Sequence, residues 1–562
     1  MMMKTRNKEN DIDTIFKNIA NGITGVWVFV TLVIFPLYTH EMYFDILGAR
    51  YNFYKISIIV QASLLLMLAL IYIFIDVKER QYEGLIRFKN SFSPKNILKT
   101  FRLTDFFLII LLIVFFVSFL GSDYKEEAWT GISGRLQGLE CWIYYFISYL
   151  LITRTFKFKP FYLDFAILTG CFACVWGILD FYFLDPFGFL REVSFDQKLM
   201  FASSIGNYNT YTNYVSIIIA ICVTLFCNEK KIWKTIFYGI MLFISITGTV
   251  TGISDNAALG LAAIFGFLPF YCFKDRRGFG RYFIFLALTF VSISFVQISC
   301  AWHENHFLYS GSIFRTIGEF SKIHYITIIF VINSIALNIY LYLSSKQKII
   351  KTKTNTEVEL PLDRKMPRDF FYFWILFFIM TISLVTFVII DVNGKQKFPI
   401  FLKLGINQFL IFNDDWGTHR GHNWRIAVQA FNNFTPFQKL FGHGPDTYLV
   451  VTERTAYLEM VQKYGEVYDS AHNEYLHYLV CVGALGLLSY LLVFISGIVR
   501  AFKCALDNPY VMACIIAVVA YLVQAIVNIA IPITTPIFFT LFYMAISYMN
   551  DMDYKKINKE AK

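Results

Sequence analysis

Long apolar runs separated by short polar segments occupy most of this chain. A membrane-spanning helix needs roughly 20 predominantly apolar residues, and fourteen runs approach or exceed that length. They lie at about residues 20–39, 54–76, 104–121, 138–153, 162–184, 209–227, 233–251, 257–273, 282–299, 324–344, 370–391, 474–499, 510–529 and 532–549. The fourth run is short, and the last two form a single broken hairpin in the alternative interpretation. The pattern predicts an all-α polytopic membrane protein with about 12–14 transmembrane helices.

Composition supports this class and excludes a soluble domain. Hydrophobic residues make up 57% of the chain and charged residues 16%, with a mean hydropathy of +0.53. Soluble domains carry about 25% charged residues. The ten cysteines lie almost wholly in or beside apolar runs. The CxxC formed by Cys171 and Cys174 is therefore interpreted as packing rather than as a redox or metal site.

The distribution of basic residues predicts an orientation. The polar segment that ends at Lys17 leads directly into the first apolar run without a signal-peptide cleavage site. With this N-terminus in the cytoplasm, the cytoplasmic loops carry most of the 50 lysines and arginines, as the positive-inside rule expects. Both termini are then cytoplasmic in a multi-pass protein of the cytoplasmic membrane. The net charge of +10 needs no nucleic acid partner, and the basic loop 78–102 is expected to lie against anionic lipid.

One loop is far longer than the others and divides the chain into three regions. We predict an N-terminal transmembrane region at 1–392 with about 11 helices, a large extracytoplasmic loop at 393–473, and C-terminal transmembrane helices with a cytoplasmic tail at 474–562. The loop is rich in aromatic residues and can bury apolar surface. Two helices are expected in it. One spans about 424–434 with Asn423 as its N-cap, and one spans about 446–463 with Pro445 at its start.

Three arginines are candidates for binding an anion at the outer surface. Arg420 and Arg425 lie in "GTHRGHNWR", and Arg135 lies in "SGRLQGLECW". Guanidinium groups stay charged and bind diphosphate or carboxylate through two parallel hydrogen bonds. The alternatives are a solvated basic stretch for the first two and a lipid anchor for Arg135. The "GHGP" sequence at 442–445 is either an anion-binding turn or an ordinary tight turn.

Two histidines lie at the polar edge of the apolar run that begins near residue 476. His472 and His477 are five residues apart in "HNEYLH", about 140° around a helix, so the pair lacks the spacing of a zinc-binding HExxH motif. We therefore expect no metal here. His472 is a candidate general base or phosphate ligand, with a structural hydrogen bond as the alternative. His477 is expected to be structural.

Four sequence blocks resemble the O-antigen ligase and O-antigen polymerase superfamily. "IGNYNTYTNYVSIIIAI" resembles its "GNPNxxGxYLxLxLP" span, and "GRLQGLECWIYY" resembles "GRxxGLxTxLxY". "RGHNWRIAVQAFNNFTPFQKLFGHGPDTY" resembles "RxxxWxxxLxxxxxxxxxGxGPDTF", and "DSAHNEYLHYLVCVGALGLLSYL" resembles "xPHNxYLQxxxxxGxLGLLxYL". The likeness extends from about residue 105 to 549. It departs at "SDNAALG" (254–260), where Asp255 stands in place of the usual arginine.

The resemblance implies a C-type-like glycosyltransferase fold and a reaction at the outer face of the membrane. Such enzymes transfer a glycan from undecaprenyl diphosphate to a sugar or lipid-linked acceptor, with inversion at the anomeric carbon. Arg420 and His472 match the family's motif residues and are the catalytic candidates. The diphosphate candidates are Arg420, Arg425 and Arg135, and the supporting candidates are Asn473 and Tyr475. No metal or cofactor is expected, since arginines would neutralise the diphosphate.

Two other functions remain compatible with the sequence. A polymerase that extends a repeat-unit glycan shares the fold and the donor with a ligase that transfers a finished chain. A polysaccharide-lipid flippase or other transporter would also have many spans. Transporters are commonly built from repeats with charges at mid-membrane, whereas this sequence has no detectable repeat and its polar chemistry lies in one loop.

Overall fold

The structure is a computed structural model that describes most of the chain. The described residues are 2–91, 93, 96–97, 100–195, 197–302, 313–349, 365–394, 396–398 and 407–560. Part of the predicted basic loop 78–102 and the first part of the predicted large loop, residues 395 and 399–406, lie outside them.

Helices form nearly all the regular structure of the described residues. In chain order they are Met2–Phe29, Ile46–Arg80, Glu83–Ser91, Leu103–Gly121, Lys125–Thr130, Leu139–Thr155, Phe161–Phe181, Tyr208–Asn228, Ile232–Thr251, Asn256–Phe267, Pro269–Cys272, Arg276–Trp302, Ile313–Gly318, Ile323–Ile349, Arg368–Asn393, Asn407–Leu410, Trp416–Asn433, Pro436–Phe441, Tyr448–Tyr464, Glu474–Cys504, Pro509–Gln524 and Thr535–Glu560. Single π or 3₁₀ turns occur at Val30–Ile34, Phe35–Leu37, Lys198–Met200, Ser203–Ile205 and Ala525–Val527. The strands Phe201–Ala202 and Gly206–Asn207 pair antiparallel.

The prediction of an all-α polytopic membrane protein is confirmed. Eleven helices of the described residues are long and apolar enough to cross a membrane, slightly fewer than the twelve to fourteen expected. Each of the fourteen predicted runs nevertheless coincides with a helix. Three of the fourteen runs are not among the eleven: they coincide with Leu139–Thr155, with Asn256–Phe267 and Pro269–Cys272, and with Thr535–Glu560.

The helix Tyr208–Asn228 lies at the centre of the bundle. Its apolar stretch is completely buried, and Pro509–Val527 packs along it. In contrast, Asp369–Asn393 exposes nearly all its apolar side chains, as expected of a helix that faces lipid. Close approach at the centre depends on small residues, because a Cβ on Gly170 would lie 2.4 Å from the Ile218 side chain.

The cysteines of the described residues are all unpaired thiols, and nine of the ten are buried. Cys171 lies against the neighbouring helix, where its Sγ is 3.4 Å from the Met241 carbonyl oxygen. Cys174 contacts the same helix at Gly248, where an added Cβ would lie 2.9 Å from the Cys174 Cβ. Both residues of the CxxC are thus placed as helix-packing residues.

The segment 407–473, called here the connecting segment, contains four helices among its residues rather than the two predicted. Asn423 was expected to cap a helix, but it lies inside Trp416–Asn433 and its side chain is buried in tertiary hydrogen bonds. The last long helix of the segment begins at Tyr448 rather than at Pro445. The delay has a physical cause, since Asp446 takes a left-handed φ of 55° that ends the preceding turn before a helix can start.

Candidate functional site

The "GHG" turn of the connecting segment docks into a break in the long helix that follows it. This helix has non-helical backbone at Gly483 (φ 72°, ψ −175°), which frees carbonyl groups of the preceding turn. The N–H of His443 donates to the Val480 carbonyl at 3.2 Å. The N–H of Gly444 donates to the Cys481 carbonyl at 2.9 Å. Because these N–H groups bind protein carbonyls, the tight-turn interpretation of "GHGP" fits and the anion-binding interpretation does not.

Asp446 joins three of the four sequence blocks through its buried carboxylate. Its Oδ2 accepts hydrogen bonds from the backbone N–H groups of Arg135 and Gln137, both at 2.8 Å. Its Oδ1 lies 3.1 Å from Nε2 of His477. Nothing in the sequence singled out Asp446 for this role. His477 is structural, as predicted, and its ring also stacks on Tyr448.

A second set of buried hydrogen bonds fixes the helix that carries Arg420. Asn423 donates from Nδ2 to the Ser470 carbonyl at 2.6 Å. Its Oδ1 accepts from the Tyr448 hydroxyl at 2.7 Å. These hydrogen bonds join the helix Trp416–Asn433 to the helix Tyr448–Tyr464 and to the chain immediately before His472.

These contacts bring His472 under the influence of two guanidinium groups. Burial and the positive charges of Arg420 and Arg135 lower the pKa of His472 to about 3. The imidazole is therefore neutral at physiological pH and can offer one N–H donor and one acceptor nitrogen. His472 also has a left-handed φ of 47°. Such a conformation costs of order 1 kcal/mol in a residue with a side chain and is concentrated at functional sites.

Arg420 is a desolvated cation without a carboxylate partner among the described residues. Its Nε is buried and has no hydrogen-bond partner there. Burial lowers the pKa of Arg420, whereas the nearby Tyr208 and Asp255 favour its charged form. A guanidinium still remains protonated in proteins, and burying an unpaired charge is costly. The arrangement is that of a cation left available for an anionic ligand.

Arg135 forms an ion pair within the protein through part of its guanidinium group. Its Nη2 donates to Oδ1 of Asp469 at 2.9 Å, while its Nε is buried without a partner in the described part of the chain. The Asp469 side chain is about one-third exposed, so this ion pair contributes little to stability. Arg135 thus retains one unpartnered guanidinium nitrogen among the described residues.

Arg425 is bound in a separate ion-pair network. Its Nε and Nη2 donate to the two oxygens of Asp414 at 3.1 and 3.0 Å, and Nη2 also contacts Glu459. These hydrogen bonds, with one from Lys463, hold the pKa of Asp414 well below its usual range. The arginines whose charges lower the pKa of His472 are Arg420 and Arg135. A role for Arg425 at the diphosphate stays a prediction.

Three potential metal ligands occur in the same network. Oxygen or nitrogen atoms of Asp414, His422 and Glu459 lie within 4.8 Å of one another. The guanidinium of Arg425 already bridges both carboxylates, and Lys463 lies 2.7 Å from Asp414. Two cations therefore lie against the two carboxylates, and a metal ion would have to displace them.

The two supporting candidates hold the start of the helix beside His472. Oδ1 of Asn473 accepts from the N–H groups of Tyr475 and Leu476 at 3.0 and 3.1 Å, which caps this helix. The Tyr475 hydroxyl donates to the Leu522 carbonyl at 2.5 Å. Both residues thus use polar groups within the protein, and a role for them at the site stays a prediction.

Arg420 also lines an open cavity of about 570 Å³. Asp255 and Asn256, from the "SDN" block, form another part of its wall. This volume is sufficient for a small ligand or part of a larger one. The sequence marked Asp255 as a departure, but gave no indication that it shares a cavity with Arg420.

No protein-family model matches the chain, and no curated protein matches it either. The resemblance proposed from sequence therefore depends on the motifs themselves and on the place where they meet.

Proposed function

We propose that this protein is a glycosyltransferase of the O-antigen ligase and polymerase superfamily, with a C-type-like fold. It transfers a glycan from undecaprenyl diphosphate to a sugar or lipid-linked acceptor in cell-surface polysaccharide assembly, at the outer face of the cytoplasmic membrane. The observation that carries the proposal is the grouping of Arg420, Arg135 and His472, with unpartnered guanidinium nitrogens, where the resembling sequence blocks meet.

The reaction needs fixed positive charge where a diphosphate leaves. In our proposal Arg420 binds the diphosphate through its free donors, and Arg135 adds a further donor. As the acceptor oxygen bonds to the anomeric carbon, the bond from that carbon to the diphosphate breaks and the configuration inverts. Donors fixed in a partly desolvated site stabilise the developing negative charge without having to reorganise. The arginines supply this charge, so the mechanism requires no metal.

His472 acts in this scheme as a neutral hydrogen-bond donor to the diphosphate. A group whose pKa is about 3 holds almost no proton at neutral pH and is a weak base. The His472→Gln variant keeps an N–H donor, so we expect it to retain at least ten times the transfer rate of His472→Ala. Both rates are measured with purified protein and lipid-linked glycan between pH 5 and 8.

The pH dependence of the transfer rate tests whether His472 acts as a base instead. Protonation near pH 3 predicts that no loss of rate between pH 5 and 8 comes from this imidazole. Suppose that the transfer rate of the wild type falls below a pKa near 6.5 and that the rate of His472→Gln does not. This result would show that His472 titrates as a base.

Chelation tests the metal-free part of the proposal. We expect the transfer rate to change less than twofold after dialysis against EDTA, because Arg425 and Lys463 already neutralise the acidic groups of the nearest potential metal cluster. Activity that falls with EDTA and returns with a divalent ion would contradict this expectation.

Deletion of the gene in its host tests the proposed function and separates the alternatives. Lipid-linked saccharides and surface glycans are extracted and compared with those of the parent strain. Full-length chains that accumulate on the lipid indicate a ligase, and single repeat units indicate a polymerase of the same superfamily. Intermediates trapped on the inner face indicate a flippase or other transporter, which would contradict the glycosyltransferase proposal. Unchanged intermediates would also contradict it.

A further inference from the structure

Asp255 places a carboxylate in the same cavity as Arg420. Its Oδ1 accepts a hydrogen bond from the Ile313 N–H at 2.7 Å. Among the described residues this N–H is the one hydrogen-bond donor to the Asp255 carboxylate, so the second carboxylate oxygen stays available to a ligand. The carboxylate is thus oriented by the protein but not neutralised by it.

The electrostatic surroundings of Asp255 are simple. Within the described cavity lining, Arg420 and Asp415 are the other titratable residues. Asp415 accepts from the Tyr464 hydroxyl at 2.8 Å. Arg420 and Asp255 influence each other's titration, yet no ion pair joins them in the described part of the protein. A ligand can therefore contact a cation and a carboxylate at the same time.

The remaining wall combines aromatic rings with amide side chains. Phe409 and Trp416 line the cavity together with Asn256 and Asn413. The Trp416 ring is held by its Nε1, which donates to the Phe409 carbonyl at 3.2 Å, and by packing against Trp424. Sugars present apolar C–H faces and hydroxyl groups. An apolar aromatic lining with a few placed polar groups suits such a ligand.

We propose that this cavity binds the acceptor glycan and that Asp255 is the general base of the transfer reaction. The proposal rests on the proposed function. The acceptor hydroxyl gives its proton to the Asp255 carboxylate as its oxygen bonds to the anomeric carbon of the donor. The bond between that carbon and the diphosphate oxygen breaks, and the diphosphate leaves with both bonding electrons, neutralised by Arg420.

The expected protonation behaviour agrees with this role. Burial raises the pKa of Asp255 above its ordinary value of 3.8, while the Ile313 N–H and the charge of Arg420 act in the opposite direction. A carboxylate with a raised pKa is a stronger base than an ordinary aspartate. The transfer rate should therefore rise with pH through the pKa of Asp255 and level off above it.

The test compares Asp255→Asn with the wild type and with Asp185→Asn. The amide of the Asp255→Asn variant keeps an oxygen for the Ile313 N–H and preserves the shape of the cavity. Asp185 is a matched control, because its Oδ1 also accepts one backbone N–H, from Leu190 at 3.2 Å, and it lies outside the cavity lining. The full chain is purified in lipid nanodiscs. The probe is the lipid-linked saccharide fraction from a host that lacks the gene.

We expect Asp255→Asn to lower kcat by about 100-fold or more, the usual contribution of a general base. KM should change less than threefold, the acid limb of the pH profile should disappear, and Asp185→Asn should match the wild type. A wild-type pH profile in Asp255→Asn, or a raised KM with unchanged kcat, would overturn the assignment of Asp255 alone. A wild type that transfers nothing would contradict the proposed function as well.

A second variant covers the case in which Asp255→Asn is unstable in thermal unfolding. Asp255→Glu keeps a carboxylate, and the proposal expects a reduced rate with the acid limb retained. Loss of that limb in a folded Asp255→Glu protein would overturn the assignment.

Discussion

Arg420→Ala is expected to reduce glycan transfer by at least about 100-fold while leaving the protein folded and inserted in the membrane. The Nε of Arg420 is buried without a partner in the described part of the chain, and no carboxylate there neutralises the guanidinium. The fold does not depend on its hydrogen bonds, so removal of the side chain affects ligand binding rather than stability. Transfer is measured with purified protein and lipid-linked saccharide, and folding is followed by thermal unfolding.

Two comparisons sharpen the Arg420 prediction. Arg420→Lys keeps the charge but loses the planar fork, so its rate should fall between those of the wild type and Arg420→Ala. Arg454→Ala is the matched control, because Arg454 is an exposed arginine of the same connecting segment that lies over the Tyr124 ring. Its rate should equal that of the wild type. Full activity of Arg420→Ala would contradict the assignment of Arg420 to the site.

Asp446→Ala is expected to destabilise the site itself. Its carboxylate is fully buried and accepts from Arg135, Gln137 and His477. Removal of one partner from a buried charged network costs about 3–5 kcal/mol, because the remaining donors lose their acceptor. We expect a lower apparent unfolding temperature in detergent and faster proteolysis of the connecting segment. Transfer activity should be lost along with this structure.

The amide variant and a neighbouring carboxylate provide the controls for Asp446. Asp446→Asn keeps an acceptor for the two backbone N–H groups, so it should unfold at a higher temperature than Asp446→Ala. Asp469→Ala removes one partly exposed ion pair to Arg135, which contributes at most about 1 kcal/mol. An unfolding temperature for Asp446→Ala no lower than that of Asp469→Ala would show that Asp446 does not hold the three blocks together.

Within the connecting segment, helix capping predicted the helix boundaries less well than apolar length predicted the transmembrane helices. Asn423 precedes an amphipathic stretch and has the residue type of an N-cap, yet its side chain binds Ser470 and Tyr448 instead. The segment packs onto the transmembrane helices, so its polar side chains find partners far along the chain. Tertiary hydrogen bonds then outweigh capping, which contributes only about 1 kcal/mol.

The two neighbouring arginines show that local sequence also does not predict the partners of the site residues. Arg420 and Arg425 lie in one short motif, and the sequence treated them as similar diphosphate ligands. The structure pairs Arg425 with Asp414 and Glu459, while Arg420 faces a cavity. The difference depends on which carboxylates the fold brings near each guanidinium, and that is a property of packing rather than of the motif.

The sequence by itself determined the class of this protein and the positions of its long apolar helices. Both follow from the length and polarity of continuous segments, which are local quantities set by the transfer of apolar side chains from water to lipid. The tertiary structure alone decided which polar groups meet. Arg135 and Asp446 are 311 residues apart in the chain, yet a hydrogen bond joins them. Such contacts depend on how helices distant in sequence pack together, and local composition does not predict that packing.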